Sequence, residues 1–181
     1  MKVTHQLSRL EPIVLDPLHG VNEEDWCRPR DEGWSLAQIV EHLAISIDVV
    51  AAGFEECSGG DCTERDATPE QALMRHVMLG AGEFPKGMRA PDYTLPSDDP
   101  DPELAQANLR MAIERTRALL EDWPEEQQAG RFLRHPVLGS LNLPEWVRFH
   151  YVHCSLHARQ IEKWLIWLGA AADQRGAAEQ R

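Results

Sequence analysis

Ser35-Leu36-Ala37-Gln38-Ile39-Val40-Glu41-His42-Leu43 opens a run that continues to Cys57, and its reading decides the fold. Ser35, followed three residues later by Gln38, is the reciprocal capping pattern that satisfies the free N–H groups of a first helical turn. Leu36, Val40, Leu43, Ile47, Val50 and Phe54 then recur at intervals of three or four, which makes one face of a long helix apolar. The same punctuation returns downstream. Thr68-Pro69-Glu70-Gln71 repeats the box with proline in the first turn, and Asp101-Pro102-Glu103 offers a cap without the full box. Asn142, followed by Pro144 and Glu145, opens a last helix whose apolar stripe is Leu143, Val147, Cys154, Ile161, Leu165 and Leu168.

The N-terminal segment keeps helical spacing through Val3, Leu7, Leu10, Val14 and Leu18, but Pro12 and Pro17 remove backbone donors, so a bent or broken helix is expected. Period-two alternation appears nowhere at useful length. His135-Pro136-Val137-Leu138-Gly139 is the one place where a small extended piece is plausible; it is assigned as a loop, with Gly139 in a turn. The expected fold is therefore all-α: a four-helix bundle with one short extra helix and long loops. Residues 58–68 and 82–100 carry Gly, Pro, Ser and Asp at loop density, and the second stretch is long enough for a crossover or a site-lining loop. Gly169 reads as a C-cap, which gives one domain over residues 1–170 and a fraying tail over 171–181.

The chain has 181 residues, 43% hydrophobic and 27% charged, enough to bury the core of one domain. A mean hydropathy of -0.43 and a longest apolar stretch broken by Ser46 and Asp48 argue against a membrane span. Residues 1–12 lack the apolar region of an export signal. A formal charge of -12 repels nucleic-acid phosphates and anionic lipid surfaces, so neither is expected as a partner. Cys27, Cys57, Cys62 and Cys154 read as free thiols of a cytoplasmic protein and not as a disulfide framework. Cys57 and Cys62 could pair as a redox couple or metal clip, but no C-x-x-C spacing supports it; Cys154 is assigned to packing.

Three histidines and three tryptophans crowd between Trp146 and Trp167. At about 100° per residue, His153 and His157 stand one turn apart on one helix face, the spacing at which two imidazoles converge on an ion. His150 and His153 form a competing pair. These rings interrupt the apolar stripe, and an imidazole buried without partners costs roughly 1–3 kcal/mol per unsatisfied nitrogen, which a shared metal relieves. His42, beside the small Ser46 on the first long helix, is the candidate third ligand.

Trp34-Ser35-Leu36-Ala37-Gln38-Ile39-Val40-Glu41-His42-Leu43, then His135-Pro136-Val137-Leu138-Gly139-Ser140-Leu141 with Glu145-Trp146, then His153-x3-His157-x2-Gln160, together resemble the DinB/YfiT-like superfamily. Within it the chain is similar to a branch of uncharacterised bacterial proteins with the HP-x-x-G-x-L turn, and the resemblance spans nearly the whole length. It implies a four-helix bundle in up-down-down-up order in which one histidine of the second helix and two of the last bind a divalent metal. Carried over by position, these are His42, His153 and His157, with Gln160 matching the glutamine that follows the last ligand, which leaves His150 outside. Leu156 departs from relatives that carry a second histidine there.

Such a site leaves a zinc, nickel or iron ion with its full charge and an open position. The superfamily includes enzymes that use low-molecular-weight thiols and proteins described as metal-dependent hydrolases. No carboxylate shares the His153 and His157 face, and Glu41 points about 100° away from His42, which favours thiol activation on a small-molecule substrate over hydrolysis by bound water. Gln160 is then expected to orient the ligand or a water. A bundle with a structural ion, or an interaction module without activity, is the non-enzymatic alternative. Trp146, Trp164 and Trp167 are candidate pocket walls, core or dimer-interface residues, and Trp164 and Trp167, about 60° apart on the last helix, suggest a homodimer face. Asp98-Asp99-Pro100-Asp101 lacks the ligand alternation of a calcium loop and reads as the approach to a helix cap.

Overall fold

A computed structural model describes residues 2–28, 33–57, 62–85 and 87–179, with side chains described up to residue 169. The first helical segment is broken as expected. Helix α1 (Val3–Ser8) and helix α2 (Leu10–Leu15) part at Arg9, because Pro12 lacks an N–H and its ring excludes the carbonyl four residues earlier, so the chain restarts its turn there. Pro17 sits in a 3-10 turn, Asp16–Leu18, and the short α3 (Glu23–Trp26) follows.

Helix α4 (Leu36–Glu56) begins at the Ser35 box: Gln38 N–H donates to Ser35 Oγ at 3.2 Å, and Ser35 N–H to Gln38 Oε1 at 3.0 Å. Thr68 and Gln71 make the same exchange at α5 (Pro69–Arg75), which runs on into a π-helical turn, His76–Ala81. Asp101 Oδ1 accepts from the N–H groups of Glu103 and Leu104 at the head of α6 (Pro102–Asp122), so the acidic 98–101 segment is a helix approach. A short α7 (Glu125–Gly130) follows. Asn142 and Glu145 exchange hydrogen bonds, both at 3.0 Å, at the head of α8 (Leu143–Glu179).

The helix directions follow from side-chain contacts. Gln38, near the start of α4, donates to the carbonyl of Ser97 just ahead of α6, while Asp48 and Glu55, further along α4, both accept from Arg115 in α6. The two helices therefore advance together. Helix α8 opposes them, since Val50 and Phe54 join Leu143 and Trp146 in one cluster while the earlier His42 meets the later His157. With the incoming α1–α2 segment this is the up-down-down-up bundle. Leu10, Val14, Leu43, Ile47, Leu109, Ile113 and Ile161 fill its main core, and a second cluster around Phe54, Met78, Leu138 and Leu141 closes one end. By length and composition α4 alone among the described helices would suit a membrane, and its burial inside the bundle accounts for that apolar character.

Three expectations are corrected. The 135–139 segment is the turn of a β-hairpin, β1 (Phe132–His135) against β2 (Gly139–Asn142), antiparallel with His135 opposite Gly139. Strands of four residues are too short to show alternation. Tertiary contacts hold them instead: Arg75 donates to the carbonyls of Leu138 and Ser140, and Leu133 packs so tightly on α4 that a Cβ at Gly53 would lie 2.9 Å from its Cδ1. Gly139 sits in the turn as expected, with φ +76°, a left-handed conformation that favours glycine. Secondly, α8 continues through Gly169; one interior glycine costs only about 1 kcal/mol, and the alanines that follow favour the helix. Thirdly, Cys57 and Cys62 are joined in a disulfide just past α4, with Cα atoms 5.8 Å apart, while Cys27 and Cys154 are free. Of the two tryptophans read as a homodimer face, Trp164 is only 2% exposed and packs in the main core, with the half-buried Trp167 against it.

Candidate metal centre

Helix α4 brings one imidazole and α8 two into a common point between them. The Nε2 atoms of His42 and His153 lie 3.2 Å apart, and those of His153 and His157 3.1 Å apart. All three residues are buried, 3%, 9% and 5% exposed respectively. The i, i+4 spacing on α8 puts two rings on one face, and the antiparallel course of α4 carries His42 to the same level.

Two of the three rings are held in one tautomer. His42 Nδ1 donates to the carbonyl of Thr94 at 2.7 Å, and His157 Nδ1 donates to Gln160 Oε1 at 2.8 Å. Both Nε2 atoms are then bare lone pairs. His153 Nδ1 is buried without a partner, so even a proton on His153 Nε2 could serve only one of its two neighbours. Acceptors outnumber donors at the centre. A cation reached by all three lone pairs removes the deficit, and the donor set fits a divalent transition metal.

Electrostatics agree with that donor state. Burial lowers the pKa of His42; burial, then the neighbouring His42, holds His157 down at about 4; and burial, followed by His157 and His42, keeps His153 well below the ordinary range. All three are neutral ligands near pH 7. Trp34 stands 4.7 Å from the His42 ring and stacks on His157, while Phe84 and Phe149 flank His153 at 5.7 and 5.4 Å. The centre opens on a cavity of about 1210 Å³ that residues 84–85 and 87–95, the hairpin turn and α8 help to wall.

Gln160 borders the cavity, and its Oε1 accepts from His157 Nδ1. His150 lies away from the cavity, 1% exposed, with both nitrogens unpartnered beside Trp146 and Phe149. Glu41 turns outward to accept from Ser97 N–H and Oγ. Trp146 does wall the cavity, and Trp164 reaches it as well. Cys154 is fully buried, its thiol pushed up to about 12, as a packing residue. Sequence reasoning missed Thr94, whose contribution is a main-chain carbonyl with no residue-type signal, and gave Trp34 no role although it stood in the diagnostic stretch.

No functionally curated protein matches the sequence. The fold is similar to that of YfiT from Bacillus subtilis, described as a probable metal-dependent hydrolase with an unusual four-helix bundle topology. The TM-score is 0.62 at 20% identity, over 92% of this chain and 87% of that one. The sequence model of the DinB superfamily matches residues 6–161, most of the chain and all three histidines. The chain belongs to the DinB superfamily.

Proposed function

We propose that the Nε2 atoms of His42, His153 and His157 hold one divalent metal ion, zinc, nickel or iron, in an enzyme that activates a small thiol for transfer to an electrophile. The observation that carries this reading is the convergence of three neutral imidazoles with no carboxylate among them. When bound, an ion on three neutral ligands keeps its full charge and an open position, and it favours the ionised form of a thiol or water placed there. The carbonyl of Thr94 and the Gln160 amide keep the protons of His42 and His157 on Nδ1, so the lone pairs stay aimed. Trp34, Phe84 and Phe149 exclude water from the other sides. The thiol proton leaves to solvent without a protein base. Its sulfur bonds to the electrophilic carbon, and the leaving group departs with the electron pair.

Hydrolysis is the second reading, favoured by the description of YfiT and by one residue of the crossover. Asp92 is the sole carboxylate among the described residues that line the cavity, and hydrolysis needs a base such as this. Cobalt-loaded protein titrated with 2-mercaptoethanol and with cysteine separates the two. The thiol reading expects an intense near-ultraviolet charge-transfer band that saturates with thiol. It is overturned if neither thiol changes the spectrum while activated esters turn over with a rate that Asp92→Asn abolishes.

A further inference from the structure

His135 ends β1, borders the cavity and takes no part in the three-histidine centre. Its ring is 9% exposed and is clamped 4.6 Å from the Phe149 ring and 5.3 Å from that of Trp146. The hairpin turn fixes its tautomer. The backbone N–H groups of Val137 and Leu138 both donate to His135 Nδ1, each at 3.1 Å, and a nitrogen that accepts two hydrogen bonds cannot carry the ring proton. The proton is therefore on Nε2. Burial keeps the ring neutral near pH 7, with a pKa lowered to about 4. Among the described residues Nε2 meets no protein acceptor, yet it is not one of the sealed, unpartnered polar atoms, in contrast to both nitrogens of His150. It is a fixed donor facing open space.

The surrounding chemistry narrows what it would meet. Trp34, Phe84, Met88, Trp146 and Phe149 give the cavity apolar walls. Its charged lining is two cations, Arg89 and Lys163, against Asp92, a local reversal in a chain of net charge -12. We propose that His135 is a substrate-positioning residue whose Nε2–H donates to a carboxylate oxygen of an apolar, carboxylate-bearing molecule seated beside the three-histidine centre. This deepens the proposed function by naming the class of its small-molecule partner, and it rests on that reading only for the reaction that follows binding.

The test uses zinc-loaded full-length protein, phenylacetate as the probe, and ¹H–¹⁵N spectra of the histidine rings. The His135 Nε2–H resonance is expected before ligand is added, and it should move downfield as phenylacetate saturates the site. His135→Phe should weaken phenylacetate binding by at least about tenfold, the scale of one hydrogen bond to a charged acceptor, whereas His135→Gln, which keeps a donor, recovers most of it. Zinc stoichiometry should equal wild type in both variants. Equal affinity in His135→Phe and wild type, an unmoved Nε2–H signal at saturation, or no phenylacetate binding by wild type overturns the proposal. If His135→Phe does not fold, the wild-type resonance and His135→Gln decide it. Absence of zinc uptake by wild type overturns the metal reading instead, and the same titration of the metal-free protein then still decides the role of His135.

Discussion

Gln160→Leu keeps the side chain close in size while deleting the oxygen that His157 Nδ1–H meets at 2.8 Å. The ring of His157 then has a buried donor without an acceptor, and nothing selects the tautomer that leaves Nε2 bare. Partners of this kind are worth roughly 10- to 100-fold in metal affinity, or about 1.4–2.7 kcal/mol. Zinc affinity, measured at pH 7 by competition with a chelating indicator, should fall within that range, while His157→Ala abolishes stoichiometric binding. Gln160→Glu supplies a charged acceptor at the same place and should bind zinc at least as tightly as wild type. Thermal melting of the metal-free proteins controls for folding, since a partly exposed hydrogen bond contributes little there. Zinc binding by Gln160→Leu within twofold of wild type, or by Gln160→Glu as weak as Gln160→Leu, would refute this role of Gln160.

Burial lowers the pKa of His150 to about 3, so as pH falls below about 6.5 the unfolded chain takes up a proton that the folded one refuses, and stability is lost toward acid. Between pH 7 and pH 5, in urea with chelator present, wild type should lose about 2 kcal/mol more than His150→Phe; equal losses would contradict the burial argument. Asp101→Ala removes the acceptor of two N–H groups at the head of α6 and should cost about 1 kcal/mol in the same assay. Cys62→Ser opens a disulfide that spans a sequence separation of 5, and it should lower stability by about 2 kcal/mol in oxidising buffer and not at all in the presence of reductant.

What could be read from sequence depended on whether the signal was local. Ser35 with Gln38, Thr68 with Gln71 and Asp101 with its following N–H groups mark helix starts within four residues, and each appears where the caps predict. Phe132–His135 carries no such mark. Its hairpin is held by Arg75, which reaches Leu138 across a sequence separation of 63, and by the bare Gly53 surface that receives Leu133. His153 and His157 were legible as a pair because a helix fixes their spacing, whereas His42 needed a resemblance to join them, since no periodicity reports which helices oppose one another. The tautomers of His42 and His135 were out of reach altogether. They rest on the Thr94 carbonyl and on the N–H groups of Val137 and Leu138, and main-chain groups are the same in every residue.

The order of the helices itself explains why the centre has an outer wall. Because α4 and α6 run parallel, the chain leaving α4 must travel back along about 30 Å of helix before α6 can begin. Antiparallel neighbours would need only a short turn there. The returning segment has to cross the face on which α4 and α8 display their histidines, and it contributes Phe84 beside His153, Asp92 on the cavity wall and the Thr94 carbonyl under His42. Gln38 and Glu41, one helical turn and less from His42, hold its last residues through Ser97. The same α4 turn thus fixes both the imidazole and the strand of chain that orients it, so a change that loosens Ser97 from Glu41 should disturb the His42 tautomer without touching the ring.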